Sequence, residues 1–186
     1  MTCIVATKHN NKIYMGGDSL GSDTSFAKTV RKDVKVFING DMLLGFTSSF
    51  RMGQILQYVM SHPERPEGIS DMKYLVAYWI PALIECFEHS GYRGEKGLDD
   101  HDETRTGGVF LLGYRGTLYQ IDSDFQVGIP AEQYAAIGCG QDLAMGAIFT
   151  AKKLGIKEPD KILTVALEAA EKYSGGVQRP FLLLSI

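Results

Sequence analysis

The sequence predicts an α+β fold, a four-layer αββα sandwich in which two antiparallel sheets pack face to face between helical layers. Three observations predict it. Strands and helices arrive in blocks (strands, two helices, strands, two helices, a strand), not one helix per strand as in a doubly wound sheet. The middle strands, MLLGFT and GVFLLGY, are nearly continuously apolar, as strands of sheets covered on both faces are. The 186 residues, 45% apolar and 22% charged, suit one domain over residues 1–186. A chain of that length buries about 70% of its unfolded surface.

Taken in order, residues 2–8 and 12–17 read as a hairpin turning through Asn10-Asn11. GSDTSFAKT reads as a polar turn. VKVFI and MLLGFT form a second hairpin around Asn39-Gly40-Asp41, since Asn-Gly is the strongest short hairpin signal. Ser48 or Ser49 caps a helix over residues 50–61, ended by Pro63. Ser70 opens a longer helix with Met72, Leu75, Val76, Trp79, Leu83 and Phe87 at three- and four-residue steps, and Pro81 kinks or breaks it. Residues 91–106 are a polar loop. Strands GVFLLGY, TLYQI and YAAIG follow, then helices over 141–154 and 159–173 and a final strand PFLLLSI.

Composition excludes several function classes. A net charge of −3 argues against nucleic-acid binding, which shows as a basic patch. No apolar run approaches the ~18 residues of a membrane span. No basic, then apolar, secretory signal opens the chain. Cys3, Cys86 and Cys139 form no CxxC pair, which predicts reduced thiols in a cytoplasmic protein. The run Asp99-Asp100-His101-Asp102-Glu103 carries ligand chemistry, but consecutive loop residues rarely face one ion, so it reads as a solvated loop. No cofactor or metal is expected.

The start of the chain is unusual in entering an apolar strand at once. Methionine aminopeptidases remove Met1 before a small residue, and Thr2 qualifies. The new terminus carries an α-amine beside its own hydroxyl, and an amine with a pKa of ~7.7–8.0 can take the hydroxyl proton near neutral pH. Asp18, in GGDS, returns beside Thr2 because the hairpin strands run antiparallel; the alternative is a simple turn aspartate. Lys35 alternates with Val34 and Val36. It either points at a partly buried site, with Asp18 as its carboxylate, or is a solvated edge-strand lysine. Cys3 as nucleophile would need Thr2 removed as well, so it reads as a small buried strand residue.

This ordered set resembles the proteasome β-subunits and the bacterial HslV peptidase, within the N-terminal nucleophile hydrolases. The match comprises Thr2, Asp18 sixteen residues on, Lys35 ten residues before the glycine of LLG, the turn GCGQDLAMGAI, and EKYSGG at residues 171–176. The resemblance implies the four-layer αββα fold and a threonine-type endopeptidase acting on peptide or unfolded protein. It implies Thr2 as nucleophile, its α-amine as general base, Lys35 as the charge that tunes the hydroxyl, and Asp18 as the holder of the lysine. Ser174 and Glu171 would fix the region of the amine, and backbone N–H groups near Ser48 and Ser49 would form the oxyanion hole. Gly21 and Asp33 would line the substrate cleft, bordered by Ser22 and Asp23, with Asp33 favouring basic side chains there. The resemblance also implies a homo-oligomeric ring and an ATPase partner.

Departures from the pattern are specific. Glu171 replaces an aspartate, Cys139 a turn serine, and Ser48-Ser49 a glycine pair. The lysine sits one residue late, which leaves Lys32 as a second candidate. Two other functions use the same features: an amidase of the same fold acting on a small-molecule amide, and a ring-forming scaffold subunit that has lost activity.

Overall fold

The computed structural model describes residues 1–22, 27–92 and 108–186. The N-terminal hairpin is β1 (Cys3–His9) and β2 (Lys12–Gly17). Asn10 and Asn11 between them both have positive φ, as a two-residue type I′ turn requires. β3 (Leu20–Ser22) and β4 (Lys28–Val30) then pair with each other. β5 (Val36–Asn39) and β6 (Met42–Phe46) form the second hairpin, with Gly40 at its turn. Helix α1 (Phe50–Tyr58) follows, and then α2 (Asp71–Tyr74), a π-helical turn Leu75–Trp79 and α3 (Ile80–His89) run on without a gap. β7 (Phe110–Tyr114), β8 (Thr117–Ile121), β9 (Val127–Gly128) and β10 (Tyr134–Gly138) lead to α4 (Gln141–Lys153), α5 (Pro159–Tyr173) and β11 (Leu182–Ser185).

Two larger antiparallel sheets result, in the orders β10-β1-β2-β11 and β5-β6-β7-β8-β9. The period-two alternation of β1 divides its side chains between two cores. Ile4 and Ala6 meet Val36, Leu43, Leu111 and Leu118 between the sheets. Cys3 and Val5 face the other way, under Ala144, Ile148, Leu163 and Leu167 of α4 and α5. On the far side of the five-stranded sheet, Phe37, Leu44 and Leu112 pack under α1 and α3 through Met52, Ile55 and Leu83. The layers are therefore helix, sheet, sheet, helix, as the block order predicts. Gly45 faces Ile4 and Met15 across the inter-sheet space, where a Cβ would lie 2.6 Å from each, so the sheets close at a residue with no side chain.

Several elements differ from expectation. The stretch read as a polar turn after Asp18 contains β3 and β4, whose three-residue strands are too short for alternation to show. β9 is likewise only two residues long. α1 stops at Tyr58 rather than residue 61, because the Asn39 side-chain amide donates to the carbonyls of Leu56 at 2.9 Å and Met60 at 3.0 Å. Pro81 does not break the long helix: it lies in the first turn of α3, where the preceding π-helical turn absorbs the change of hydrogen-bond register. β5 begins at Val36, so Lys35 stands just before the strand. Among the described residues no helix is long and apolar enough to cross a membrane.

Helix α1 sits close against β6 at Gly53. A Cβ on Gly53 would fall 2.1 Å from the Phe46 ring. Gly53→Ala should therefore destabilise the protein by about 1–3 kcal/mol despite the better helix propensity of alanine, seen as a lower thermal midpoint.

Candidate active site

Thr2 is 95% withdrawn from solvent, at 5% exposure, at the entrance of β1. Its backbone is fixed from the β10 side. Gly138, at φ +96°, passes so close that a Cβ there would lie 2.2 Å from the Thr2 carbonyl oxygen, so only glycine fits. The next residue, Cys139, points its sulfur at the same group. The Thr2 N–H donates to Cys139 Sγ at 3.3 Å, and the thiol lies 3.4 Å from the Thr2 carbonyl oxygen. Ser174 Oγ sits 3.9 Å from the same sulfur and accepts the Gly176 N–H at 3.2 Å. Ser174 is thus brought to the site, but it reaches Thr2 through the thiol.

On the opposite side stands a buried ion pair. Lys35 Nζ donates to Asp18 Oδ1 at 2.9 Å, with both side chains at 1% exposure or less. The same ammonium donates to the Met1 carbonyl at 3.3 Å, and the Thr2 hydroxyl donates to that carbonyl too. Asp18 has no spare lone-pair direction. Oδ1 also accepts the Cys3 N–H at 2.9 Å, and Oδ2 accepts the N–H groups of Leu20 at 2.9 Å and Gln178 at 3.4 Å. Burial pushes the Lys35 ammonium below its ordinary pKa, while the Asp18 charge opposes that shift. Lys32, the second candidate, is exposed and forms no ion pair among the described residues.

One small space borders the threonine, and a larger one shares Phe50 with it. The first, of about 40 Å³, is lined by Met1, Thr2, Phe46, Ser48, Ser49 and Phe50. The other, of about 440 Å³, is lined by Gly21, Thr29, Arg31, Asp33 and Phe50 among others. Of the two residues expected at an oxyanion hole, Ser49 is otherwise engaged and Ser48 is not. The Ser49 N–H is already donated to the Thr47 carbonyl at 3.0 Å, and its hydroxyl caps α1 by accepting the Met52 N–H at 3.3 Å. Ser48 holds a φ of +76°, the left-handed region that favours glycine, and its N–H has no bonded partner among the described residues.

Two further expectations are corrected. Glu171 does not turn toward Thr2; its carboxylate is occupied by Arg179, through the backbone N–H at 2.8 Å, Nε at 2.7 Å and Nη2 at 2.6 Å. Asp33 does not present a free negative charge to the cleft. Arg31 binds it bidentately at 2.6 and 2.7 Å and lays its guanidinium 3.8 Å from the centre of the Phe50 ring. The guanidinium holds the Asp33 carboxyl below its usual range. Arg31 and Phe50 were not singled out by sequence, although Arg31 stands two residues from Asp33 in RKD. Asp23 and the run Asp99-Asp100-His101-Asp102-Glu103 lie outside the described residues. Cys3 is fully buried, and burial pushes its thiol up to about 12, which leaves it inert. Among the described residues no cluster of His, Cys, Asp and Glu is arranged to hold a metal.

No family model and no curated protein matches the sequence. Solved structures do match along nearly its whole length. Thiobacillus denitrificans BPH superposes with a TM-score of 0.78 at 17% identity, covering 100% of this chain and 97% of its own. The same protein in complex with epoxomicin gives 0.74 at 18% identity, covering 100% and 98%. HslV from Trypanosoma brucei gives 0.68 at 16% identity, covering 99% and 98%. The likeness establishes the fold: this is an α+β fold of the HslV and proteasome type.

The ion pair gives a direct test of the site's construction. Lys35→Met leaves Asp18 charged and buried without its cation, so chemical denaturation should show a loss of about 3–5 kcal/mol. Lys32→Met, at an exposed position, should stay within about 0.5 kcal/mol of the parent.

Proposed function

We propose that this chain is a threonine-type peptidase of the proteasome and HslV kind, active once Met1 has been removed. The observation that carries the reading is the buried Lys35–Asp18 pair hydrogen-bonded to the peptide group that joins Met1 to Thr2. The pair holds Asp18 among its backbone donors, and its ammonium also reaches the peptide group where a nucleophile would need a positive charge. Removal of Met1 turns the Thr2 N–H into a free amine beside the Cys139 sulfur and clears the carbonyl that holds the Thr2 hydroxyl.

In the reaction the neutral α-amine takes the proton from Thr2 Oγ1, and Oγ1 forms a bond to the scissile carbonyl carbon. Lys35 lowers the energy of the developing alkoxide. The Ser48 N–H, the free amide beside Thr2, is the donor offered to the oxyanion. The protonated amine then gives its proton to the leaving amine as the C–N bond breaks, leaving an ester on Thr2. Water, deprotonated by the same amine, attacks the ester carbon; the amine returns that proton to Thr2 Oγ1 as the acyl–oxygen bond breaks and the carboxyl product leaves. Asp18 positions Lys35, and Cys139 with Ser174 positions the amine. The Arg31–Asp33 pair makes the adjoining cleft near neutral, which favours uncharged over basic side chains before the cut bond. The reading includes a single domain over residues 1–186, peptide or unfolded-protein substrates, a cytoplasmic homo-oligomeric ring and an ATPase that feeds it. A silent subunit is the second reading, favoured by the engaged Ser49 amide and the Arg179-bound Glu171.

Hydrolysis of fluorogenic peptides by the processed protein separates these. Thr2→Ala should abolish turnover, Thr2→Ser should retain it, and Lys35→Met should lose at least about 100-fold in kcat. The pH profile of kcat/KM should rise through about 7.7–8.0 as the amine becomes neutral. It should fall again below the ordinary lysine value of 10.5, because burial depresses Lys35. Equal turnover by Thr2→Ala and the parent would refute the mechanism.

A further inference from the structure

A second polar site lies at the far end of β1. Thr7 is five residues beyond Thr2, about 17 Å along an extended strand. It shares the face of β1 that Cys3 and Val5 present to α4 and α5. Thr7 is 1% exposed, and its hydroxyl is buried with no hydrogen-bond partner. A buried hydroxyl left unpaired costs about 1–3 kcal/mol, so its presence calls for something that pairs with it.

Thr7 lines a cavity of about 180 Å³ together with Lys8, His9, Lys152, Lys157 and Ile162. Three lysines and a histidine meet there, no acidic side chain lines the space, and none of the lysines is in an ion pair among the described residues. The N-terminus of the fifteen-residue α5 opens onto the same space, since Pro159 and Ile162 border it. Its first-turn N–H groups lack intrahelical partners and its dipole favours negative charge. Glu158, just before α5, accepts the Lys157 N–H at 3.3 Å on its own carboxylate. The volume is well above the ~30 Å³ of a water molecule and below the about 300–1,000 Å³ of pockets for larger organic ligands.

We propose that this cavity is a binding site for a small oxyanion, a phosphate or a carboxylate, held by Lys8, Lys152, Lys157 and the Thr7 hydroxyl. It does not depend on the peptidase reading, because none of its residues touches Thr2, Asp18 or Lys35. The Thr7 hydroxyl donates to the anion and so gains the partner it otherwise lacks. The lysines supply charge, and the start of α5 supplies further donors.

Isothermal titration of the full chain with inorganic phosphate, and separately with acetate, against chloride at matched ionic strength tests this. Saturable binding of phosphate alone assigns a phosphate, binding of acetate alone a carboxylate, and both support the site. Affinity should fall about tenfold in Lys152→Met, the loss expected for one charged hydrogen bond, and should fall in the near-isosteric Thr7→Val. If Thr7→Val fails to fold, Lys157→Met, at an exposed position, takes its place with the same expected direction. No saturable binding of either anion, or binding unchanged in Lys152→Met and Lys157→Met, overturns the proposal.

Discussion

The buried ion pair between Lys35 and Asp18 is the interaction around which the N-terminal half is arranged. A lysine and an aspartate held at 1% exposure or less lose their hydration, and their mutual attraction offsets that only when remaining lone pairs are filled. Here they are filled from three parts of the chain. Cys3 on β1, Leu20 at the start of β3 and Gln178 before β11 all donate backbone N–H groups to Asp18. One carboxylate therefore fixes where the first strand begins, where the chain leaves β2 and where the C-terminal segment returns. Thr2 inherits its position from that arrangement.

The first strand serves two cores at once, and its alternation explains how. Ile4 and Ala6 fill the space between the sheets, while Cys3, Val5 and Thr7 face α4 and α5. The apolar members hold the strand rigidly in two cores. The polar members at its ends, Thr2 and Thr7, are consequently buried without freedom to turn toward solvent. At one end the hydroxyl meets the Met1 carbonyl beside the Lys35 ammonium. At the other, Thr7 lines a cavity shared with three lysines. Rigid placement of Thr2 is what the proposed reaction requires, because the reacting atoms must be held in line before the chemistry starts.

The layers, both hairpins and the trio Thr2, Asp18 and Lys35 were legible in the sequence. Each depends on short-range pattern: Asn-Gly turns, apolar alternation, and an antiparallel hairpin that returns residue 18 to residue 2. What was not legible depends on partners. Glu171 and Arg179 are separated by the end of α5 and the turn that follows it, so their pairing is set by how the chain leaves the helix. Asp33 was read as favouring basic side chains although Arg31 stands two residues away; the bend that joins them has no periodic signal. The amide of Ser49 is spent on a local turn that no residue type announces. β3, β4 and β9, at two or three residues each, are too short to show a period.

In the proposed mechanism the amine and hydroxyl of Thr2 together form the reacting pair. The most direct measurement is the intact mass of the purified protein after incubation with a peptide epoxyketone, a reagent that closes a ring through both groups. A species lighter by one methionine and heavier by one inhibitor, absent in Thr2→Ala, is the predicted result. A protein that lacks Met1 and takes up no inhibitor would contradict the claim.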